Sequence, residues 1–374
     1  MAAQGVSLMA VTVGTSEARI AAERTRRPER AQTAAQQRGQ DVLAGLELAA
    51  LVATRAAALA CQPHVGSGDA IAADAAATAA MRRALASAPG SGVVVIGEGE
   101  KDGAPMLFNG EHVGDGVGPE FDVAVDPLEG TKLCARGLGG AMTTIACSAP
   151  GPMWSPGPAF YMDKLVVGAR ARGAIDITLP PERNLANVAE ALGKRVAELR
   201  VVILDKPRHA ELIATVQSLG ATVTTPGDGD VAGALASLLP DGDSDLLMGI
   251  GGTPEGVMTA CAVRALGGDM QGRLAPQTEH ETRRLNVSGA DIERPLALED
   301  LVDGPSFFAA TGVTTGGLLR GPWQEHGAGV TESLLTSRGA IRRILETTPP
   351  DSEREPPAAL AARPRQARRP RARR

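Results

Sequence analysis

The chain has 374 residues, enough for one large domain or two closely packed ones, and its 43% apolar content allows a sizeable core. Aromatic residues make up only 2%, so that core must be filled by Ala, Val, Leu and Ile. The net charge is −5, yet residues 363–374 carry seven arginines and no acid, leaving the rest at −12; such an acidic body argues against general nucleic-acid binding and suits a carboxylate-rich metal site.

Residues 1–38 read as a charged, disordered extension. Its stretch Gly5–Val13 is weakly apolar and lacks a preceding basic region, which makes it a poor signal peptide. Val42, Leu43, Leu46, Ala49, Ala50 and Ala53 recur at helical spacing and predict a helix over Asp41–Ala60. A second helix is expected over Ala73–Leu85, then a turn at Ser91-Gly92. Short β-branched runs predict strands at Val93–Ile96, Phe121–Val125, Met142–Ser148 and Lys164–Gly168. Beyond about residue 185 helices and strands alternate. Helices are expected at Asn184–Leu192, His209–Leu219 and Val231–Leu239, with strands at Leu199–Leu204, Ala221–Thr224 and Asp245–Ile250. Pro349-Pro350 closes the ordered part, and a Pro- and Arg-rich tail over 349–374 reads as disordered. Cys61, Cys134, Cys147 and Cys261 are widely spaced, with no CxxC and no adjacent His. They read as reduced, mostly buried thiols of a cytoplasmic protein rather than a disulfide or zinc framework. No run of 18 or more apolar residues predicts a membrane span.

Three acidic clusters directly follow predicted strands: Gly97-Glu98-Gly99-Glu100-Lys101-Asp102, Asp126-Pro127-Leu128-Glu129-Gly130-Thr131 and Gly251-Gly252-Thr253-Pro254-Glu255-Gly256. Strand ends hold side chains in fixed positions, and glycine permits close backbone approach. Carboxylates converging there repel one another unless cations neutralise them, and Mg²⁺ and Mn²⁺ favour hard oxygen ligands. Taken singly, the first cluster reads equally as a solvated loop and the third as a glycine turn before a helix. Only Asp126–Thr131 is specific alone: its Pro fixes the backbone, its Leu offers a carbonyl, and Gly130-Thr131 opens a helix N-terminus suited to phosphate. Lys206-Pro-Arg-His209 is either a solvated basic turn or a phosphate-binding loop. Asp228-Gly229-Asp230 reads on its own as an ordinary turn.

The ordered set Val95–Glu100, Ala104–Leu107, Asp122–Thr131, Tyr161–Leu165, Lys206–His209, Asp228–Asp230 and Gly249–Gly256 resembles the class II, GlpX-type fructose-1,6-bisphosphatases. These belong to the lithium-sensitive, metal-dependent phosphatase superfamily. The resemblance spans roughly residues 41–345 and implies an α/β fold, the layered α-β-α-β-α sugar-phosphatase sandwich of two lobes. On it, 39–185 is expected to form the metal-binding lobe and 186–348 the substrate-binding lobe. Asp74, Glu98, Asp126, Glu129 and Glu255 match its ligands for Mg²⁺ or Mn²⁺, with the Leu128 carbonyl added. Thr131 and Asp102 match the residues that orient the attacking water. Glu129, Gly130, Thr131, Tyr161, Lys206, Arg208, Asp228, Gly229, Asp230 and Gly252 match substrate-contacting positions.

The family pattern around Asp74 is Gly-Asp-Lys-Asn-x-Ala-Asp-Gly, whereas here it is Gly68-Asp69-Ala70-Ile71-Ala72-Ala73-Asp74-Ala75. The ligand is kept; a cation and an amide beside it are lost. Gly103 also replaces an acid. The expected reaction is hydrolysis of the 1-phosphate of fructose 1,6-bisphosphate in gluconeogenesis. Sedoheptulose 1,7-bisphosphate, an inositol or other sugar monophosphate, and a non-catalytic sugar-phosphate sensor stand as alternatives. The expected partners are a small sugar bisphosphate and further copies of the chain in a homodimer or homotetramer, with no nucleic acid and no membrane.

Overall fold

The structure, a computed structural model, describes residues 43–97 and 107–348. The expected terminal extensions and the loop carrying Glu98, Lys101 and Asp102 lie outside the described residues. In chain order the elements are α1 (43–61), α2 (Ala70–Leu85), β1 (Ser91–Ile96), β2 (His112–Val113), β3 (Glu120–Glu129), α3 (Thr131–Ala135), β4 (Met142–Ser148) and β5 (Tyr161–Val167). Next come α4 (Pro181–Leu192), β6 (Arg200–Val202), α5 (Ala210–Ser218), β7 (Thr222–Thr224), α6 (Val231–Leu238), β8 (Leu246–Gly252), α7 (Thr253–Leu266) and β9 (Asp269–Leu274). The chain closes with α8 (Glu279–Ser288), β10 (Leu296–Ala297), α9 (Leu298–Leu301), β11 (Ser306–Gly312), β12 (Trp323–Glu325), β13 (Ala328–Ser337) and β14 (Ala340–Thr348).

Among the described residues the strands form two sheets. The first runs β12-β13-β11-β4-β3-β1-β2, with β14 also paired to β13; the second runs β10-β9-β5-β8-β6-β7. Alternation along each strand decides which layer its side chains meet. In the first sheet Val123, Val125, Ile145, Cys147, Phe307 and Ala309 face one core with α1 and α2. Their neighbours Ala124, Ala146, Phe308 and Ala310 face the opposite core, shared with α6, α7 and the inner face of the second sheet. The outer face of that second sheet, including Leu165, Val167 and Met248, packs on α4 and α5 through Leu185, Val188 and Val216. The order helix, sheet, helix, sheet, helix bears out the expected layered α/β fold.

Helix α1, part of an apolar segment Leu43–His64, has the length and hydropathy of a membrane span. Its face of Leu43, Leu46, Ala50, Ala53 and Ala57 is buried against the first sheet, so in this fold it is a core helix.

Ser91-Gly92 belongs to β1 rather than to a turn, because Gly92 pairs with both Val113 and Phe121. The sheets also divide the chain differently from the expected boundary at 185/186. Strand β5 lies inside the second sheet, antiparallel to both β8 and β9, and β11–β14 return to complete the first. Helix α7 therefore has strands on both sides and is buried around most of its circumference. All four cysteines are buried and free.

Phe308 is fully buried in the layer shared by both sheets. Phe308→Ala is expected to cost about 3–5 kcal/mol, read as a lower urea midpoint. A change within about 0.5 kcal/mol would contradict this assignment of the core.

Candidate active site

Strand β3 runs through Asp126, Pro127, Leu128 and Glu129, and its ladder to β4 shifts register between Asp126 and Glu129. Such an irregularity turns a strand end and re-aims its side chains. Asp126 Oδ1 accepts from the Leu128 N–H at 3.0 Å, which holds the turn. Gly130 then adopts φ +78° and caps the short helix α3. Thr131 Oγ1 donates to the Leu128 carbonyl at 2.9 Å, so the Asp126–Thr131 segment is folded on itself.

On the facing side, β8 ends at Gly252, which is the N-cap of α7, and Glu255 lies in that helix's first turn. Carboxylate oxygens of Asp126, Glu129 and Glu255 lie within 4.8 Å of one another. Glu129 is buried, with its pKa pushed up to about 8, first by burial and then by the negative charges of Glu255 and Asp230. Donation from the Val231 N–H to Glu129 Oε1, at 3.3 Å, only partly offsets this. Three converging hard oxygen donors, one reluctant to ionise, fit a divalent cation.

The surrounding glycines make this approach possible. A Cβ on Gly252 would fall 1.7 Å from Glu255 Oε2, and one on Gly251 would fall 1.7 Å from Asp230 Oδ2. Asp230 pairs with Lys164 at 2.5 Å, and both are nearly fully buried. The Lys164 ammonium also donates to the Gly252 carbonyl at 2.9 Å. One cation thus neutralises the acid beside Glu129 and ties down the N-cap of the helix that carries Glu255.

Across the cavity lies the basic loop after β6. Lys206 Nζ donates to the Gly227 carbonyl at 2.6 Å and pairs with Asp228 at 3.5 Å. Arg208 donates from Nη2 and Nε to the Ile250 carbonyl at 2.8 and 3.2 Å, and its guanidinium lies 5.1 Å from the Tyr161 ring centroid. His209 is buried behind it, and burial lowers its pKa.

One cavity of about 570 Å³ brings together Asp74, Asp126, Glu129, Gly130, Thr131 and Tyr161 with Lys206, Arg208, Asp228, Gly229, Asp230, Gly252 and Glu255. Every expected site residue among the described ones lines it; Glu98 and Asp102 lie outside them. Asp74 lines the cavity from α2 but does not join the group of three carboxylates. Lys206 and Asp228, both expected to contact substrate, are paired with each other. The sequence alone assigns no separate role to Lys164 or His209. A single lysine on the inward-facing positions of an otherwise apolar strand was the available signal for the first.

A carboxylate cluster fit for a cation, facing a loop with lysine and arginine, is the arrangement of a metal-assisted phosphate hydrolase. The family described as bacterial fructose-1,6-bisphosphatase, glpX-encoded, matches residues 6–348. The chain is 45% identical over 305 residues to the Haemophilus influenzae fructose-1,6-bisphosphatase class 2, covering 78% of this chain and 91% of that protein. It is 44% identical over 305 residues to the Escherichia coli K12 fructose-1,6-bisphosphatase 1 class 2, covering 78% and 90%. The chain belongs to the GlpX-type class 2 fructose-1,6-bisphosphatase family.

The folded Glu129 holds its proton up to about pH 8, against 4.5 for an ordinary glutamate. The folded state therefore binds more protons than the unfolded one in this interval. The stability linked to this group is complete below pH 4.5 and lost as pH rises through about 8. In EDTA, the Tm of the wild type is expected to fall relative to Glu129→Gln between about pH 5.5 and 8.5. Added Mn²⁺ should raise the wild-type Tm more at the higher pH, because binding must displace a proton. Parallel Tm curves for the two proteins would contradict this.

Lys164→Met keeps the length of the side chain and strands Asp230 as a buried charge. The expected loss is about 3–5 kcal/mol in urea unfolding, with part recovered in Lys164→Met/Asp230→Leu. Equal losses in the single and double variants would show that the pair does not stabilise the lobe.

Proposed function

We propose that this protein hydrolyses the 1-phosphate of fructose 1,6-bisphosphate to fructose 6-phosphate and phosphate, with Mg²⁺ or Mn²⁺ as cofactor. The observation that carries the reading is one cavity lined both by the carboxylates Asp126, Glu129 and Glu255 and by Lys206 and Arg208. A bisphosphate needs two anion-binding ends, and a sugar with two phosphates fills the space between them.

Asp126, Glu129 and Glu255 would hold the cation, with Asp74 and Glu98 as further ligands and the Leu128 carbonyl beside them. A divalent cation there supplies Lewis acidity toward phosphoryl oxygens and makes water a better nucleophile at neutral pH. The Thr131 hydroxyl proton is committed to the Leu128 carbonyl, so its oxygen is left to accept from an incoming water and orient it. Asp102 is the acid we assign to receive that water's proton. Gly130, at φ +78°, turns the chain so that α3 starts at the cavity wall. Glu129 and Asp230, with Asp228, Gly229 and Gly252, present oxygens and backbone to the sugar hydroxyls. Tyr161 holds the Arg208 guanidinium over its ring, within reach of the phosphate that is not cleaved.

We place the protein in the cytoplasm, in gluconeogenesis, as a homodimer or homotetramer. The nine-residue strand β14, which pairs only with β13 among the described strands, leaves an edge of the first sheet available to a second copy.

Purified protein with Mg²⁺ or Mn²⁺ is expected to release phosphate from fructose 1,6-bisphosphate, leaving fructose 6-phosphate, and to lose activity in EDTA. Asp126→Asn should lower kcat by at least about 100-fold while the far-UV circular dichroism stays unchanged. A folded, metal-loaded protein that releases no phosphate from this sugar would sink the reading.

A further inference from the structure

We propose that His209 is a positioning residue for substrate affinity: it fixes residue 250 and through it the guanidinium of Arg208, which binds the phosphate that is not cleaved. The inference rests on the fructose 1,6-bisphosphate reading above. The ring is buried, with 2% of its surface exposed. Its Nε2 lies 2.8 Å from the backbone nitrogen of Ile250, and its Nδ1 lies 2.8 Å from the Leu204 carbonyl. A backbone N–H can only donate, so Nε2 must be the acceptor and carries no proton. The ring proton then sits on Nδ1 and is donated to Leu204. The neutral ring is therefore locked in one tautomer and bridges the end of β6 to β8.

The residue that His209 holds is also the one Arg208 reads. The Ile250 N–H goes to His209, and the Ile250 carbonyl accepts from Arg208 Nε and Nη2. Residues adjacent in sequence thus grip the two polar groups of one residue. Gly249, at φ +112°, passes close to the ring, and a Cβ there would lie 3.0 Å from Nε2. Two of the five guanidinium N–H groups of Arg208 are used on Ile250, and its face rests on Tyr161. Three N–H groups remain for an anion, and their direction is set by where Ile250 is held. A long exposed arginine without this anchor would have to be ordered each time substrate binds. None of these contacts involves Asp126, Glu129 or Glu255, so the effect belongs to binding rather than to phosphate cleavage.

The test compares His209→Phe, which keeps a ring and removes both hydrogen bonds, with His209→Gln, whose amide oxygen can still accept from Ile250. With Mn²⁺ and fructose 1,6-bisphosphate, His209→Phe is expected to raise KM about tenfold with kcat within about twofold, and His209→Gln to fall between it and the wild type. Arg208→Ala should raise KM by at least as much. In the Arg208→Ala background His209→Phe should add nothing, since both act on one interaction. Wild-type KM in both folded His209 variants, multiplying effects in the double variant, or a fall in kcat alone would each overturn the inference. If His209→Phe does not fold, His209→Gln alone decides it by the same criteria. No effect of Arg208→Ala on KM would instead fail the substrate reading, and the inference with it.

Discussion

The constraint on which this structure depends is the mutual repulsion of buried and half-buried carboxylates. Asp126, Glu129 and Glu255 converge within 4.8 Å, and Asp230 adds a fourth negative group beside Glu129. Burial weakens the screening that keeps such clusters tolerable at a surface. The fold answers in two ways. Lys164 is buried from the opposite sheet to neutralise Asp230, and Glu129 is left short of full ionisation until a cation arrives. A site built this way is electrostatically incomplete as protein alone, which is the physical ground for expecting a divalent cation there.

The architecture follows from where those charges must come from. Asp126 and Glu129 ride on the end of a first-sheet strand, Lys164 on a second-sheet strand, and Glu255 on the helix buried between the sheets. No single layer could bring all four together. The return of β11–β14 to the first sheet encloses α7 on the side away from the second sheet and fixes the helix that delivers Glu255. Glycine at 251 and 252 then lets the last turn of β8 pass against two carboxylate oxygens where any side chain would collide.

Much of this was legible in the sequence, for identifiable reasons. Val123 to Val125 alternates between two cores, and its β-branched pattern marks the strand before the acidic motif reveals its purpose. Met142–Ser148 was found at its true ends because its composition changes abruptly at both. Helix α7 carries no amphipathic signature, because it is buried around most of its circumference and its sequence has no polar stripe to count. The strands from Ser306 onward escaped because their inward positions include Thr311, Ser333 and Thr336, which hydrogen-bond within the core and look like surface residues on paper. The residues that line the cavity stand out through the resemblance to a known family, but their pairings do not. That Lys206 leans on Asp228 and Arg208 on Ile250 depends on loops meeting across the second sheet.

The altered loop before Asp74 is held by its backbone. Gly66 and Gly68 donate to the carbonyls of Cys134 and Ala135, so the segment leading to Asp74 is pinned to α3, immediately behind the Asp126–Thr131 motif. Asp69 caps α2 by accepting from the Ala72 N–H at 2.9 Å, which sets the first turn of the helix carrying Asp74. The backbone that carries that acid is therefore positioned by hydrogen bonds and a helix cap. Neither requires the cation and amide that the resembling sequences carry there. Ala70 and Ile71 thus leave the start of α2 supported, and the change falls on side-chain charge rather than on the backbone that carries Asp74.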